Sequence, residues 1–347
     1  MTHAISSAIT RRRFLAASAT VGAALAMPAI LTRRVLAQTA TRDLNMQLGW
    51  IAGGNQLGEV VAKRLGYFEE VGLNFAIQPG GPNVDGVAVV ASGRFEMGQV
   101  SSSPSLMLAA SQGVPVKAFA VSAQQHPYAF FSLGAAPIRS AADMVGKRVG
   151  IQGTGRPLLS ALLRANDVPE DEVEIVVIGS DMTPLLTDQV DAIAGWVTNT
   201  TALSVLGPDV VATKLWDNGV QLYANPYYAT AETIENETDL LASFLTASGR
   251  GWAYANENRD EAVKLLVEEF PNLVEADERA AADVMLAHVF TDATAANGWG
   301  TFDPGVWQKQ IELYDALGQF SAGAPALEDV IDDRVLVATA DSRPKVG

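Results

Sequence analysis

The stretch Leu44-Asn45-Met46-Gln47-Leu48-Gly49-Trp50-Ile51-Ala52-Gly53-Gly54-Asn55-Gln56-Leu57 decides the fold class. Asn45 to Trp50 reads as a short strand, and Ile51 to Gln56 is too rich in glycine to extend it. Leu57, Val60, Val61 and Leu65 then recur at helical spacing up to a stop at Gly66. Gly72 re-enters a strand, Leu73 to Gln78, that ends on Pro79-Gly80-Gly81-Pro82. Strand, turn, helix and strand in this order predict an α/β unit. Loops leaving the carboxyl ends of strands in such a sheet line a ligand crevice, which puts Trp50 and the Gly-Gly-Asn turn at a binding mouth.

The grammar repeats outward from there. Strand 73–78, helix 83–92, strand 95–100, helix 104–112 and strand 115–121 form one unit; strand 173–178, helix 182–187, strand 190–196, helix 200–206 and strand 209–214 form another. Each reads βαβαβ, the pattern of a mostly parallel sheet with helices on both faces, so two α/β lobes are expected. Between the units, Gln124-Gln125-His126-Pro127-Tyr128 leads into a strand at 129–133; after the second unit, 220–230 is extended and aromatic. These stretches read as paired crossings between lobes, an arrangement that permits a hinge. From Glu232 the pattern turns helical, with apolar faces such as Leu241, Leu245 and Trp252 or Ala281, Met285 and Val289, and these helices are expected to cover the first lobe. Residues 321–347 are weakly patterned and are expected to drape over the surface.

The chain has 347 residues, 48% hydrophobic and 18% charged, with a formal charge of −15 and a pI near 4.6. Such an acidic balance argues against nucleic acid and anionic membrane surfaces as partners. A small anion is still permitted, because a few local donors outweigh a distant field. Arg11-Arg12-Arg13-Phe14-Leu15 precedes an Ala-rich apolar run to Leu31, and Val35-Leu36-Ala37 has the form of a cleavage site. Residues 1–37 therefore resemble a twin-arginine export signal, which predicts a bacterial periplasmic address and no membrane insertion after cleavage. Their removal leaves 19 Lys and Arg against 39 Asp and Glu, a net of −20. The absence of cysteine excludes disulfides, thiolate catalysis, zinc sites built on Cys and a lipid-anchored export form.

Catalytic signals are sparse. The part after the signal holds two histidines, His126 and His288, far apart in the pattern, and there is no Walker lysine, nucleophile elbow or His-Glu-x-x-His. Gly150-Ile151-Gln152-Gly153-Thr154-Gly155 orders its glycines wrongly for a dinucleotide fingerprint. It suits binding better: a helix from Pro157 would leave the N–H groups of Gly153, Thr154 and Gly155 free, with Arg156 beside them, to meet a carboxylate, a sulfonate or a ring oxygen; an ordinary strand-to-helix turn would look the same. Ser101-Ser102-Ser103-Pro104 is the matching loop in the first lobe, where one serine caps the helix and two are left for a ligand. Gly195-Trp196-Val197-Thr198-Asn199 ends a strand with the aromatic and amide groups of a planar-ligand pocket, opposite Trp50. The remaining tryptophans, at 216, 252, 299 and 307, read as packing.

Trp50, Asn55 and Gly58, Gly66-Tyr67-Phe68, Gly72-Leu73, Ala91-Ser92-Gly93-Arg94-Phe95-Glu96-Met97-Gly98, Gln112-Gly113-Val114-Pro115-Val116 and Gly195 to Asn199 together resemble the solute-binding proteins of ABC importers. The nearest branch is that of thiamine-pyrimidine binders, with nitrate, sulfonate and taurine binders as cousins. The resemblance runs from Asn45 to about Tyr314. It implies an α/β, two-lobed periplasmic-binding-protein fold of type II, with lobe one at 38–125 and 224–320, lobe two at 126–223, a helical cover on lobe one and a tail at 321–347. It implies a monomer that closes on a small molecule, needs no cofactor or metal, and hands its ligand to an inner-membrane ABC permease or to a sensor. Departures occur at Gln56, where pyrimidine-handling members often carry His, and at Ala52, where they carry Pro. The branch includes pyrimidine synthases, whose cofactor lysine and reacting histidine would fall near Val100 and Pro104, so a synthase activity does not carry over.

The expected site for a planar nitrogen heterocycle is then Trp50 and Trp196 against the ring, Asn55, Gln56, Ser101, Ser102 and Asn199 at its edge, and Thr154 and Gly155 as donors from lobe two. Two other functions compete with it: an anionic sulfonate or carboxylate held by Arg156 and the helix N-termini, and a pyrimidine-processing enzyme.

Overall fold

A computed structural model describes residues 41–347 except Pro82, Gly153, Thr154 and Ser180; the expected export signal at 1–37 lies outside the described residues. Among the described residues ten strands follow in chain order: β1 (Arg42–Leu48), β2 (Leu73–Gln78), β3 (Met97–Gln99), β4 (Val116–Ala123), β5 (Tyr128–Ser132), β6 (Arg148–Ile151), β7 (Glu174–Val177), β8 (Ala192–Trp196), β9 (Val211–Lys214) and β10 (Ala224–Thr230). They form two five-stranded sheets, β2-β1-β3-β10-β4 and β7-β6-β8-β5-β9. The architecture is the expected two-lobed α/β one, with helices flanking each sheet.

Sequence pattern and position agree within each sheet. β4 is buried along nearly its whole length and β5 throughout, which is why both read as continuous apolar runs. The edge strand β2 turns Asn74 to solvent, and β7 exposes Glu174 at one end and Val177 at the other. The helix Leu57–Arg64 buries Leu57, Val60 and Val61, and Gly66 ends it at φ +78°, a left-handed conformation that glycine adopts without steric cost.

Each sheet differs from the expected pattern by one strand. Four of its strands run in the same direction, and the fifth, β10 in one sheet and β5 in the other, is antiparallel to both neighbours. β10 lies within 220–230, a stretch expected to be only a crossing. The reason is topological: the chain enters each of these strands from the other sheet and so inserts it in the reverse sense. The connections that remain lie side by side, with the His126 N–H donating to the Leu222 carbonyl at 3.0 Å.

The helices after β10 pack on the helices of the first sheet, as expected, and reach further. Helix Glu275–Val289 touches both the turn Gly54–Gln56 and helix Thr200–Ser204 of the second sheet, and helix Pro304–Ala316 touches helix Arg156–Ala165. Residues 321–347 do not drape. Val330, Val335 and Leu336 are buried, Asp332 N–H donates to the Ala118 carbonyl at 2.9 Å, and the Arg343 guanidinium donates to the carbonyls of Gly298 and Trp299 at 3.0 and 2.9 Å. Helices Leu327–Val330 and Arg334–Ala338 are each about one turn long, too short to display a period.

Helices Leu57–Arg64 and Thr238–Glu257 cross at backbone contact. A Cβ on Gly251 would lie 2.0 Å from the Gly58 carbonyl, and one on Gly58 would lie 2.2 Å from the Trp252 ring. Glycine inside a helix costs about 1 kcal/mol relative to alanine, and the close crossing requires it here. Trp252, Trp299 and Trp307 are fully buried, as expected of packing residues. We expect Gly251→Ala to destabilise the protein by about 1–3 kcal/mol through overpacking, read as a lower denaturant midpoint; an unchanged midpoint would show that the crossing is loose.

Candidate functional site

The strand ends of both sheets open into one cleft of about 640 Å³. From the first sheet, Gly49 N–H pairs with the Gln99 carbonyl at 2.8 Å, and the chain then swings outward at Trp50. Gly80 N–H donates to the Trp50 carbonyl at 3.1 Å, and a Cβ on Gly80 would lie 2.2 Å from the Leu48 carbonyl oxygen. Only a residue without a side chain lets the end of β2 close on the end of β1 so tightly. The Gln56 side-chain carbonyl accepts the Gly53 N–H at 3.0 Å, which folds the following turn and sets Asn55 at the rim. Ser101 follows β3, Gln152 follows β6, and Trp196, Thr198 and Asn199 close β8.

The two indoles differ in support. Trp196 is half-buried and braced by His126, at 4.9 Å between centroids, and edge-on by Tyr128 at 6.0 Å. Trp50 is 52% exposed and lies open on the cleft wall. The helical cover supplies the third wall with Leu266, Glu278, Ala281, Ala282 and Met285. Among the described lining residues Glu278 is the one charged side chain, and there is no Lys, Arg or His. Burial first, and then the neighbouring Asp277 charge, raise the Glu278 pKa above the usual carboxylate range. Its carboxylate crowds the turn, since a Cβ on Gly54 would lie 2.7 Å from Oε2.

Five of the expected residues line this cleft: Trp50, Asn55, Ser101, Trp196 and Asn199. Gln56 lies just beneath, in a polar recess of about 10 Å³ shared with Gln99, Ser101 and Asn225. The others are placed elsewhere. Ser102 is engaged in a backbone bridge to Ala224, and its hydroxyl is buried away from the cleft lining. The Gly155 N–H, expected to be free, donates to the Gln152 carbonyl at 2.8 Å, while its Cα packs on the Tyr128 hydroxyl. Arg156 is outside the lining and pairs with Glu170 at 2.5 Å, because Glu170 faces it from the far end of its own helix-turn unit. Thr154 lies outside the described residues. Missing from the expected site are Gln152, Thr198 and the whole helical wall; acidic residues at the start of helix Glu275–Val289 read as ordinary favourable charges at a helix N-terminus, so nothing in the sequence singled out Glu278.

The family model described as NMT1/THI5 like matches residues 54–262. Among curated relatives, the riboflavin-binding protein RibY of Chloroflexus aurantiacus is 30% identical over 230 residues, which cover 64% of this chain and 65% of that protein. The formylaminopyrimidine-binding protein of Halalkalibacterium halodurans is 27% identical over 290 residues, covering 80% and 86%. Among solved structures, the periplasmic aliphatic sulphonate-binding protein SsuA from Escherichia coli superposes with a TM-score of 0.64 at 17% identity, covering 84% of this chain and 92% of that one. At that identity the likeness concerns the fold.

The close contact at the cleft mouth yields a test. Gly80→Ala should push Trp50 outward, raising its quenching by acrylamide and lowering the melting temperature; unchanged values for both would remove Gly80 from the support of the mouth.

Proposed function

The chain belongs to the NMT1/THI5-like family, and on that premise we propose that it is the substrate-binding protein of an ABC importer for a small planar nitrogen heterocycle, a thiamine-precursor pyrimidine first. The observation that carries the reading is the make-up of the cleft: among the described residues, two indoles, amide and hydroxyl side chains, one carboxyl and no cation. An aminopyrimidine edge places an N–H donor beside a ring nitrogen acceptor. A carboxyl beside that edge accepts from the amine, and its raised proton affinity favours sharing a proton with the ring nitrogen. Trp50 and Trp196 cover the ring faces, and Asn55, Ser101, Gln152 and Asn199 read its edge.

In this reading lobe one comprises 38–125 and 224–320 and lobe two 126–223, and the paired connections beside His126 and Leu222 are the hinge on which they close. Residues 1–37 export the chain to the periplasm, where the monomer delivers its ligand to an inner-membrane permease. An anionic cargo fits poorly, because Arg156 is already paired with Glu170 and no cation lines the cleft among the described residues. A second reading, a larger fused heterocycle such as a flavin, is favoured by the cleft volume of about 640 Å³, which exceeds what one pyrimidine ring fills.

The test is a thermal-shift panel of hydroxymethylpyrimidine, formylaminopyrimidine, riboflavin, taurine and nitrate. A heterocycle at 100 times its dissociation constant adds about 2.7 kcal/mol. Trp50→Ala should weaken its binding by about 1–3 kcal/mol, the worth of a stacked ring, while Arg156→Ala leaves it unchanged. Stabilisation by taurine or nitrate alone would overturn the reading, and turnover of a bound pyrimidine would move the protein to the enzymes.

A further inference from the structure

Beneath the cleft floor lies a polar chain that ligand contact does not require. Glu59, on the helix Leu57–Arg64, is fully buried, and its Oε1 accepts from the Tyr227 hydroxyl and, at 3.2 Å, from Gln99 Nε2. Gln99 Oε1 in turn accepts from Gln56 Nε2 at 2.6 Å, and Gln56 Oε1 accepts from the Gly53 N–H at 3.0 Å. An amide has one donor end and one acceptor end, so each link dictates the orientation of the next. A carboxylate can only accept at Oε1. Gln99 must therefore present its NH₂ to Glu59 and its oxygen to Gln56, and Gln56 must present its oxygen to the turn that carries Asn55.

The chain ends at the recess of about 10 Å³ lined by Asn55, Gln56, Gln99, Ser101 and Asn225, a space for one water or one small substituent. Gln56 Nε2 has a second proton beyond the one given to Gln99, so the wall of the recess is a donor. Asn225 holds φ at +51°, a left-handed conformation uncommon outside glycine, with its N–H donating to the Ser101 carbonyl at 3.2 Å. Retained strain of this kind gathers where a side chain must be aimed.

We infer that Glu59 is a positioning residue for recognition: through Gln99 and Gln56 it orients the Gly53–Asn55 turn and makes the recess select a hydrogen-bond acceptor, a carbonyl, hydroxyl or bridging water of the ligand. The ligand half of this inference rests on the binding-protein reading; the orientation of the turn does not. The groups facing Glu59 are Tyr227 from β10, Gln99 from β3 and Trp252 from helix Thr238–Glu257, and Tyr227 is the titratable one among them. Burial raises the Glu59 pKa from 4.5 to about 7, against the lowering effect of the Tyr227 and Gln99 hydrogen bonds. A raised folded-state pKa means that this stabilisation is whole below the unfolded value and is lost as the pH climbs through about 7. The same proton weakens Oε1 as an acceptor, so the pull on Gln99, and through it on the turn beside Trp50, changes over that window.

The experiment compares the wild-type full chain with Glu59→Gln, Glu59→Leu and Gln56→Leu, using acrylamide quenching of Trp50 and thermal stability across roughly pH 5 to 8.5, the window around the raised pKa. The wild type should show a quenching step near pH 7 and a stability step, a fall that begins near the unfolded value and is complete by about pH 7. Glu59→Gln keeps the acceptor but cannot titrate, so it should lose both steps and retain a closed turn. Glu59→Leu should hold Trp50 in its more quenched state at every pH. Gln56→Leu, which leaves Glu59 intact, should keep the stability step and lose the quenching step. Persistence of the steps in Glu59→Gln, or a quenching step surviving in Gln56→Leu, would overturn the proposal, and these arms decide it whether or not Glu59→Leu folds. With hydroxymethylpyrimidine and riboflavin as probes, Gln56→Leu should weaken whichever binds by about tenfold, the loss of one buried hydrogen bond. Wild-type affinity in that variant would overturn the selective recess. Failure of both probes on the wild type would instead count against the importer reading and leave the quenching result to decide the relay.

Discussion

The structure depends on a reciprocal exchange of strands. Each sheet is completed by a strand delivered from the other side, β10 into one and β5 into the other, so the chain must cross twice and both crossings must run together. The backbone bond from His126 to Leu222 fastens them. That constraint sets the carboxyl ends of two sets of parallel strands facing each other. The loops after β1, β3, β6 and β8 then have nowhere to go but into a shared cleft, which is why its lining comes from residues as distant in sequence as Trp50 and Asn199.

Charge is distributed against the cleft. The chain carries a formal −15, yet among the described residues the lining holds one carboxyl, and the arginines beside the lining in sequence are both tied up, Arg279 with Asp260 and Asp283 and Arg156 with Glu170. The acidic surplus lies on the surface, where it supports solubility and says little about the cargo. Inside, the polar groups are amides and hydroxyls, whose directional hydrogen bonds discriminate ligands by donor and acceptor pattern. The buried relay behind Gln56 belongs to the same logic. An amide beside a ligand is useful only when its two ends cannot exchange places, and a carboxyl at the far end of the chain prevents the exchange.

Much of the fold was legible. Strand Leu73–Gln78 appears where Gly72 and the Pro79-Gly80 turn placed it, and the helices at Leu57 and Pro104 start at their predicted residues. The antiparallel strands were not, because β propensity has no direction; parallel and antiparallel neighbours leave the same alternation in sequence. In the site, Trp50 and Trp196 were legible because an aromatic residue at a strand end before polar turn residues is poorly explained by packing alone. Arg156 misled for an equally physical reason. A helix N-terminus with an adjacent arginine is an anion site only if the arginine is free, and its partner Glu170 sits fourteen residues on.

What the sequence determined by itself is local: periodicity set the helices and strands, glycine and proline set the turns, and the order of elements set the α/β class, since each of these is decided by backbone sterics and by burial of one face. What tertiary structure alone decided is which groups share the cleft. Glu278, Leu266 and Met285 enter it because two helices more than two hundred residues after Trp50, Arg259–Glu269 and Glu275–Val289, fold back across the mouth. Glu59 becomes a buried carboxyl with a pKa raised to about 7 because β3, β10 and the helix bearing Trp252 close over it. Proximity across such separations comes from packing the core as a whole, and no local pattern encodes it.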